Sequence, residues 1–158
     1  MSDGVAWVDS SGEFELGYWL VFARDVQPVE LLRRLGAAAE EAVERTRLEA
    51  SDIELTSDDI VVRVGSAAGW AYAVVEGGPV GDAGEALREA SRGAAAIGLW
   101  RTVNADTRFE FAQDGRLVCG FEPEDMAGAF GLAEAAFGVD LPRGDVLTGT
   151  LLSGLVTA

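Results

Sequence analysis

The sequence predicts an α+β fold: a two-layer single domain over residues 1–158, with a mostly antiparallel sheet of about five strands and three to four helices. Three observations point there. Apolar or alternating segments are joined by hairpin-length turns, so neighbouring strands pair. Helical segments with apolar residues three and four apart interrupt them irregularly, without strict strand–helix alternation. Gly and Ser never concentrate into an interdomain linker, and 158 residues is an ordinary size for one domain.

The first strand is "GYWLVFAR", residues 17–24, apolar on both faces as a central or covered strand is. "DVQPVELLRRLG" follows as a helix: Pro28 suits the first helical position, Glu30 the first turn and Gly36 the C-terminal cap. Leu31, Leu32 and Leu35 form its apolar stripe, leaving Arg33 and Arg34 to water. Residues 37–50, "AAAEEAVERTRLEA", combine high helix propensity with only Val43 and Leu48 as large apolar groups, which predicts a solvent-facing helix. "SDIELTSDD" links that helix to the sheet. Strands follow at 59–65, "DIVVRVG", and 70–77, "WAYAVVEG", joined by "SAAG". "GGPVGDAGEALREASRG" is a loop leading to a helix near 83–92, closed by Gly93.

Residues 95–125 hold a strand near 96–103 and then the hairpin "RFEFA" and "RLVCGF". A two-residue Asp114-Gly115 turn in an unbroken ladder splits the rings across two faces. A three-residue Gln113-Asp114-Gly115 loop puts Phe109, Phe111, Leu117, Cys119 and Phe121 on one face, and the hydrophobic pattern selects it. In the preceding strand either Leu99 and Arg101, or Trp100 and Thr102, face the core. Burying an unpaired Arg101 is costly, which favours Trp100 inside. Glu122-Pro123-Glu124-Asp125 opens a helix with proline at its first position, and Met126, Phe130, Ala133 and Phe137 form its buried face. The last segment, "RGDVLTGTLLSGLVTA", reads as a short helix packed on the sheet, with an edge strand as the alternative.

Composition narrows the function more than any motif does. The hydrophobic share of 49% and charged share of 25% are globular values, and no apolar run approaches the roughly 18 residues of a membrane span. Asp3, Asp9, Glu13 and Glu15, with no basic residue, argue against a secretory signal. Cys119 is the lone cysteine, so no internal disulfide forms; a cytoplasmic location is expected. Histidine and lysine are absent, and all 12 basic residues are arginines, as a GC-rich genome produces. Histidine-dependent triads and metal sites, P-loops and Schiff-base lysines are therefore excluded. No enzyme activity, cofactor or metal is expected. A net charge of −15 repels a phosphate backbone, so nucleic acid is not expected as a partner. The same charge attracts basic proteins, although it also serves solubility.

Among candidate sites, Asp58-Asp59 point to opposite faces of a strand, and Glu122, Glu124 and Asp125 already serve a helix start. "GGPVGDAG" lacks the spacing of a phosphate loop, and Arg143-Gly144-Asp145 is a chance tripeptide. Cys119 is read as a small buried hydrophobe on the core face. Of the tryptophans, Trp7 precedes the first strand and Trp19, Trp70 and Trp100 lie within strands. Core packing explains them, unless some anchor a partner surface.

Three blocks in succession, "YWLVFARDVQPVELLRRLG", "VGSAAGWAYAVVEGG" and "LWRTVNADTRFEFAQDGRLVCGFEPED", resemble an actinobacterial, Streptomyces-type domain-of-unknown-function family over most of residues 17–140. The resemblance implies an α+β domain and assigns no activity. The leading expectation is a non-catalytic cytoplasmic protein-binding domain, an immunity- or antitoxin-like factor whose acidic face meets a basic partner. The alternative is a small-molecule-binding regulatory domain with a pocket lined by Trp70, Tyr72, Trp100 and Arg108. A carboxylate- or Mg²⁺-dependent enzyme using Glu122, Glu124 and Asp125 ranks third. An uncovered edge strand would support a symmetric homodimer.

Overall fold

The computed structural model describes residues 3–157. In chain order its elements are α1 (Trp7–Ser10), β1 (Gly17–Arg24), α2 (Pro28–Arg34), β2 (Val43–Thr46), α3 (Arg47–Thr56), β3 (Asp59–Ala67) and β4 (Trp70–Glu76). There follow α4 (Ala83–Ala90), β5 (Ala95–Thr102), β6 (Thr107–Gln113), β7 (Arg116–Phe121), α5 (Met126–Leu132), α6 (Arg143–Leu147) and β8 (Thr150–Thr157). The strands form one antiparallel sheet in the order β2-β8-β3-β4-β1-β5-β6-β7. A π-helical turn, Ala133–Phe137, continues α5.

The α+β content stands, but the expected two layers with about five strands and three to four helices do not. Eight strands and six α-helices are present among the described residues, and helices cover both faces of the sheet. The reason lies in β1 and β4, which are apolar on both sides. Tyr18, Leu20, Phe22, Trp70, Tyr72 and Val74 join Ile97, Leu99 and Phe109 in a first core beneath Trp7, Phe130 and Leu141. Trp19, Val21, Ala23, Ala71, Ala73 and Val75 face a second core under Leu31 and Leu32 of α2 and Leu87 of α4. Leaving either face wet would forfeit about 25 cal/mol for each Å² of apolar surface.

Two strands come from segments expected to be otherwise. The predicted helix at 37–50 has no apolar stripe to dock. Its centre instead forms β2, paired with β8, and the helix begins downstream. A capping box sets that start: the Thr46 hydroxyl accepts from Glu49 N at 3.1 Å while the Glu49 carboxylate accepts from Thr46 N at 2.9 Å. The C-terminal segment, expected as a short helix, supplies α6 and then β8, which lies between β2 and β3 and so is not an edge. Gly154 permits this, because a Cβ there would stand 2.9 Å from the Ala37 Cβ and 3.1 Å from Leu32 Cδ1.

The β6–β7 hairpin corrects the expected three-residue loop. It turns on two residues, Asp114 (φ 52) and Gly115 (φ 82), and a β-bulge between Phe111 and Ala112 restores the parity that such a turn would break. Phe109 thus faces Phe121, with ring centroids 5.1 Å apart, and Phe111 faces Cys119. Leu117 lies opposite Ala112, off that face. Cys119 is exposed, not buried, because β7 is the sheet's edge.

On β5 the choice between Leu99/Arg101 and Trp100 dissolves, since both faces are covered. Leu99 is in the first core and Trp100 packs half-buried against the second. Arg101 points to the first face but is not unpaired. Its Nη2 donates to Phe14 O at 3.0 Å, its Nε lies 3.3 Å from Asp9 Oδ1, and its guanidinium covers the Tyr18 ring at 5.4 Å. The helix expected from Pro123 starts at Met126 instead, because the Asp125 carboxylate accepts from Gly128 N at 2.7 Å as N-cap. No helix among the described residues is long and apolar enough to cross a membrane.

Candidate functional site

At one end of the sheet the loop before β1, helix α3, the end of β4 and Leu147 of α6 enclose a groove of about 670 Å³. Its rim is apolar: Leu16 is 72% exposed, Leu48 72% and Leu55 81%. Helix α3 turns Arg47, Leu48, Ser51, Glu54 and Leu55 to this side, a spacing that gathers residues on one helical face. Ala50 is the one buried residue of α3. A helix that shows its leucines to solvent and hides an alanine reverses the usual amphipathic arrangement.

The floor is charged. Arg47 holds Glu76 bidentately, Nε to Oε2 at 2.9 Å and Nη2 to Oε1 at 2.8 Å. It also donates to Glu13, through Nη1 to Oε2 at 3.1 Å and through Nη2 to the carbonyl oxygen, and its guanidinium sits 4.8 Å from the Phe14 ring centroid. The bond to Glu76 holds Arg47 above its ordinary pKa despite burial. Glu13, Glu15, Glu54 and Glu76 line the groove against this one cation. Behind the floor Arg63 is buried, donating to Val146 O at 2.8 Å and, at 3.4 Å, to Arg45 O and Gly149 O. Burial lowers its pKa, and its Nε has no acceptor.

Glu54 accepts from Val61 N at 3.0 Å. Burial pushes its carboxyl up; the Val61 bond opposes this and the nearby Glu76 charge adds to it. A raised folded-state pKa stabilises below the unfolded value, and that stability is lost as pH rises through the folded value. Glu54→Gln keeps the acceptor and removes the half-buried charge. It is expected to melt a few degrees higher than wild type at pH 7, with the gap closing below about pH 4.3, where a free glutamate is protonated. Melting curves across that range check it; a gap independent of pH would refute the assignment.

The residues expected to line one pocket are divided between the two faces. Trp70, 3% exposed, donates Nε1 to Phe137 O at 3.1 Å in the first core. Tyr72 is buried in the same layer, and that burial pushes its phenol up to about 12. Trp100 and Arg108 pair across β5 and β6 on the opposite face, where Arg108 Nε lies 3.3 Å from Glu110 Oε2. No group of three or more Cys, Asp or Glu among the described residues is arranged to hold a metal. Sequence reading passed over Leu16, Glu54 and Leu55; the available signal was Leu48, a large apolar residue in a helix without a stripe.

No curated protein and no solved structure matches the chain. A family model matches residues 2–133, a span that includes every groove-lining residue except Leu147. The chain therefore belongs to the family of unknown function DUF6461.

Proposed function

We propose that this is a non-catalytic protein-binding module whose groove receives a basic, apolar segment of a partner protein, as an immunity- or antitoxin-like factor would. The observation that carries the reading is the set of Leu16, Leu48 and Leu55, all more than two-thirds exposed, in a groove lined by four glutamates, of which Glu13 and Glu76 pair with its one arginine. Burying each leucine is worth roughly 1.5–3 kcal/mol, and the surplus negative charge selects a cationic partner. The groove's volume would also suit a small ligand, but a molecule on the floor would leave the rim leucines wet, so the rim favours a protein. The chain's overall charge of −15 would speed such an encounter. Its arginine-only basic complement supports an actinobacterial source, and its single cysteine a reducing, cytoplasmic setting.

The test is a pull-down in a salt series with wild type and Leu48→Ser/Leu55→Ser, a variant expected to fold normally because both side chains are exposed. Wild type should retain a partner that salt releases, and the variant should retain about tenfold less. The reading fails if there is no partner, or if retention ignores both salt and the leucines.

A further inference from the structure

We infer that the groove's occupant is an amphipathic α-helix with basic flanks; this rests on the protein-binding reading and specifies its partner. The first argument concerns backbone groups. The strands that reach the groove, β1 and β4, are interior: β1 lies between β4 and β5, and β4 between β3 and β1. Their ladders are already filled, and neither edge strand, β2 or β7, lines the groove. The loop offers no ladder either: Gly17 N donates to Phe14 O, Gly77 N to Gly17 O and Glu13 N to Ser11 Oγ, while the N–H groups of Phe14, Glu15 and Leu16 lack a backbone acceptor but lie in a turn and not along a strand. An extended segment pressed onto the leucines would bury most of its own N–H and C=O groups without partners, at about 1–3 kcal/mol each. A helix satisfies them internally.

The second argument is spacing. Leu48 and Leu55 are seven residues apart on α3, about 10.5 Å along its axis, with the small Ser51 between them. Two ridges separated by a notch fit the i, i+3/i+4, i+7 side chains of an opposing helix. The third is charge. Glu15 forms no ion pair among the described residues, and Glu54 is bonded to a backbone N–H and to no cation. Both carboxylates are therefore open to arginines flanking the apolar stripe of an incoming helix.

The experiment titrates the full chain with a synthetic peptide of roughly 18 residues, with leucines at helical spacing and arginines beside them. A second peptide is identical except for two central prolines. Anisotropy should show the first binding with a gain in helical circular dichroism. Binding should be about tenfold weaker for the proline peptide, and about tenfold weaker to Leu48→Ser/Leu55→Ser, while Leu117→Ser on β7 leaves it unchanged. Equal binding of the proline peptide would overturn the helix and leave the basic-segment reading in place. If neither peptide binds, or binding ignores Leu48 and Leu55, the groove reading falls too.

Discussion

Gly17→Ala is expected to lower stability by about 3 kcal/mol and the melting midpoint by roughly 6–12 °C. Gly17 opens β1 at φ +103, a conformation that L side chains rarely adopt, and it pairs with Thr102 of β5. An added Cβ would overlap the Arg101 carbonyl oxygen and stand 3.2 Å from Thr102 Cα. Those are backbone atoms of an interior strand, so nothing flexible can yield. Gly12→Ala separates the two causes, since Gly12 also has positive φ (+76) but nothing lies within 4 Å of its added Cβ. It should lose only about 1 kcal/mol, the conformational part alone. Urea denaturation of the pair measures the difference. Equal losses would mean that the start of β1 moves away from β5, and the groove floor it supports would then not be fixed.

What local chemistry dictates was readable before any coordinates. Pro28, Glu30 and Gly36 bound α2 because caps act within a few residues, and β1 announced two covered faces by being apolar throughout. The same strand held the clue to a third layer, since an apolar strand in a two-layer protein leaves one face wet. The unread parts depend on distant pairing. Residues 43–46 are strand because β8 lies beside them, and β8 takes an inner place because its other side pairs with β3, from Asp59 opposite Thr157 to Val64 opposite Leu152. Parity around Phe109 and Phe121 was legible from the pattern; the means of achieving it, a tight turn plus a bulge, was not, because an extra unpaired residue leaves no mark on alternation.

The site was less legible for a related reason. Trp70 and Tyr72 looked like anchors by residue type, yet the fold uses them as core, and Trp100 and Arg108 fell on the other face because neighbouring residues in a strand alternate. Leu48 and Leu55 look ordinary in sequence. They become conspicuous only when α3 docks through Ala50 and leaves them in solvent. An apolar surface made of side chains that fail to be buried cannot be seen until it is known what the burial partners are.

Phe14→Ala is expected to cost about 3–5 kcal/mol, the range for deleting a buried ring. Phe14 belongs to no strand or helix, yet it is 2% exposed, packed against Trp7 (6.0 Å) and edge-on to Tyr18 (6.4 Å). Its outer face supports the Arg47 guanidinium, and its carbonyl accepts from Arg101. One ring thus ties the loop carrying Leu16 to the first core and to the groove's cation. Phe14→Leu refills much of the volume without a π face and should cost only about 1–2 kcal/mol, part of it the lost cation–π and edge contacts. The two variants differ again in binding. Phe14→Ala, assayed at a temperature where it remains folded, should lose affinity for the helical peptide because Leu16 is no longer held at the rim, whereas Phe14→Leu should keep most of it. A loss below 1 kcal/mol for Phe14→Ala would mean that this loop is not part of the core. The groove would then be an opening between mobile segments, with no preformed shape for a partner to fit.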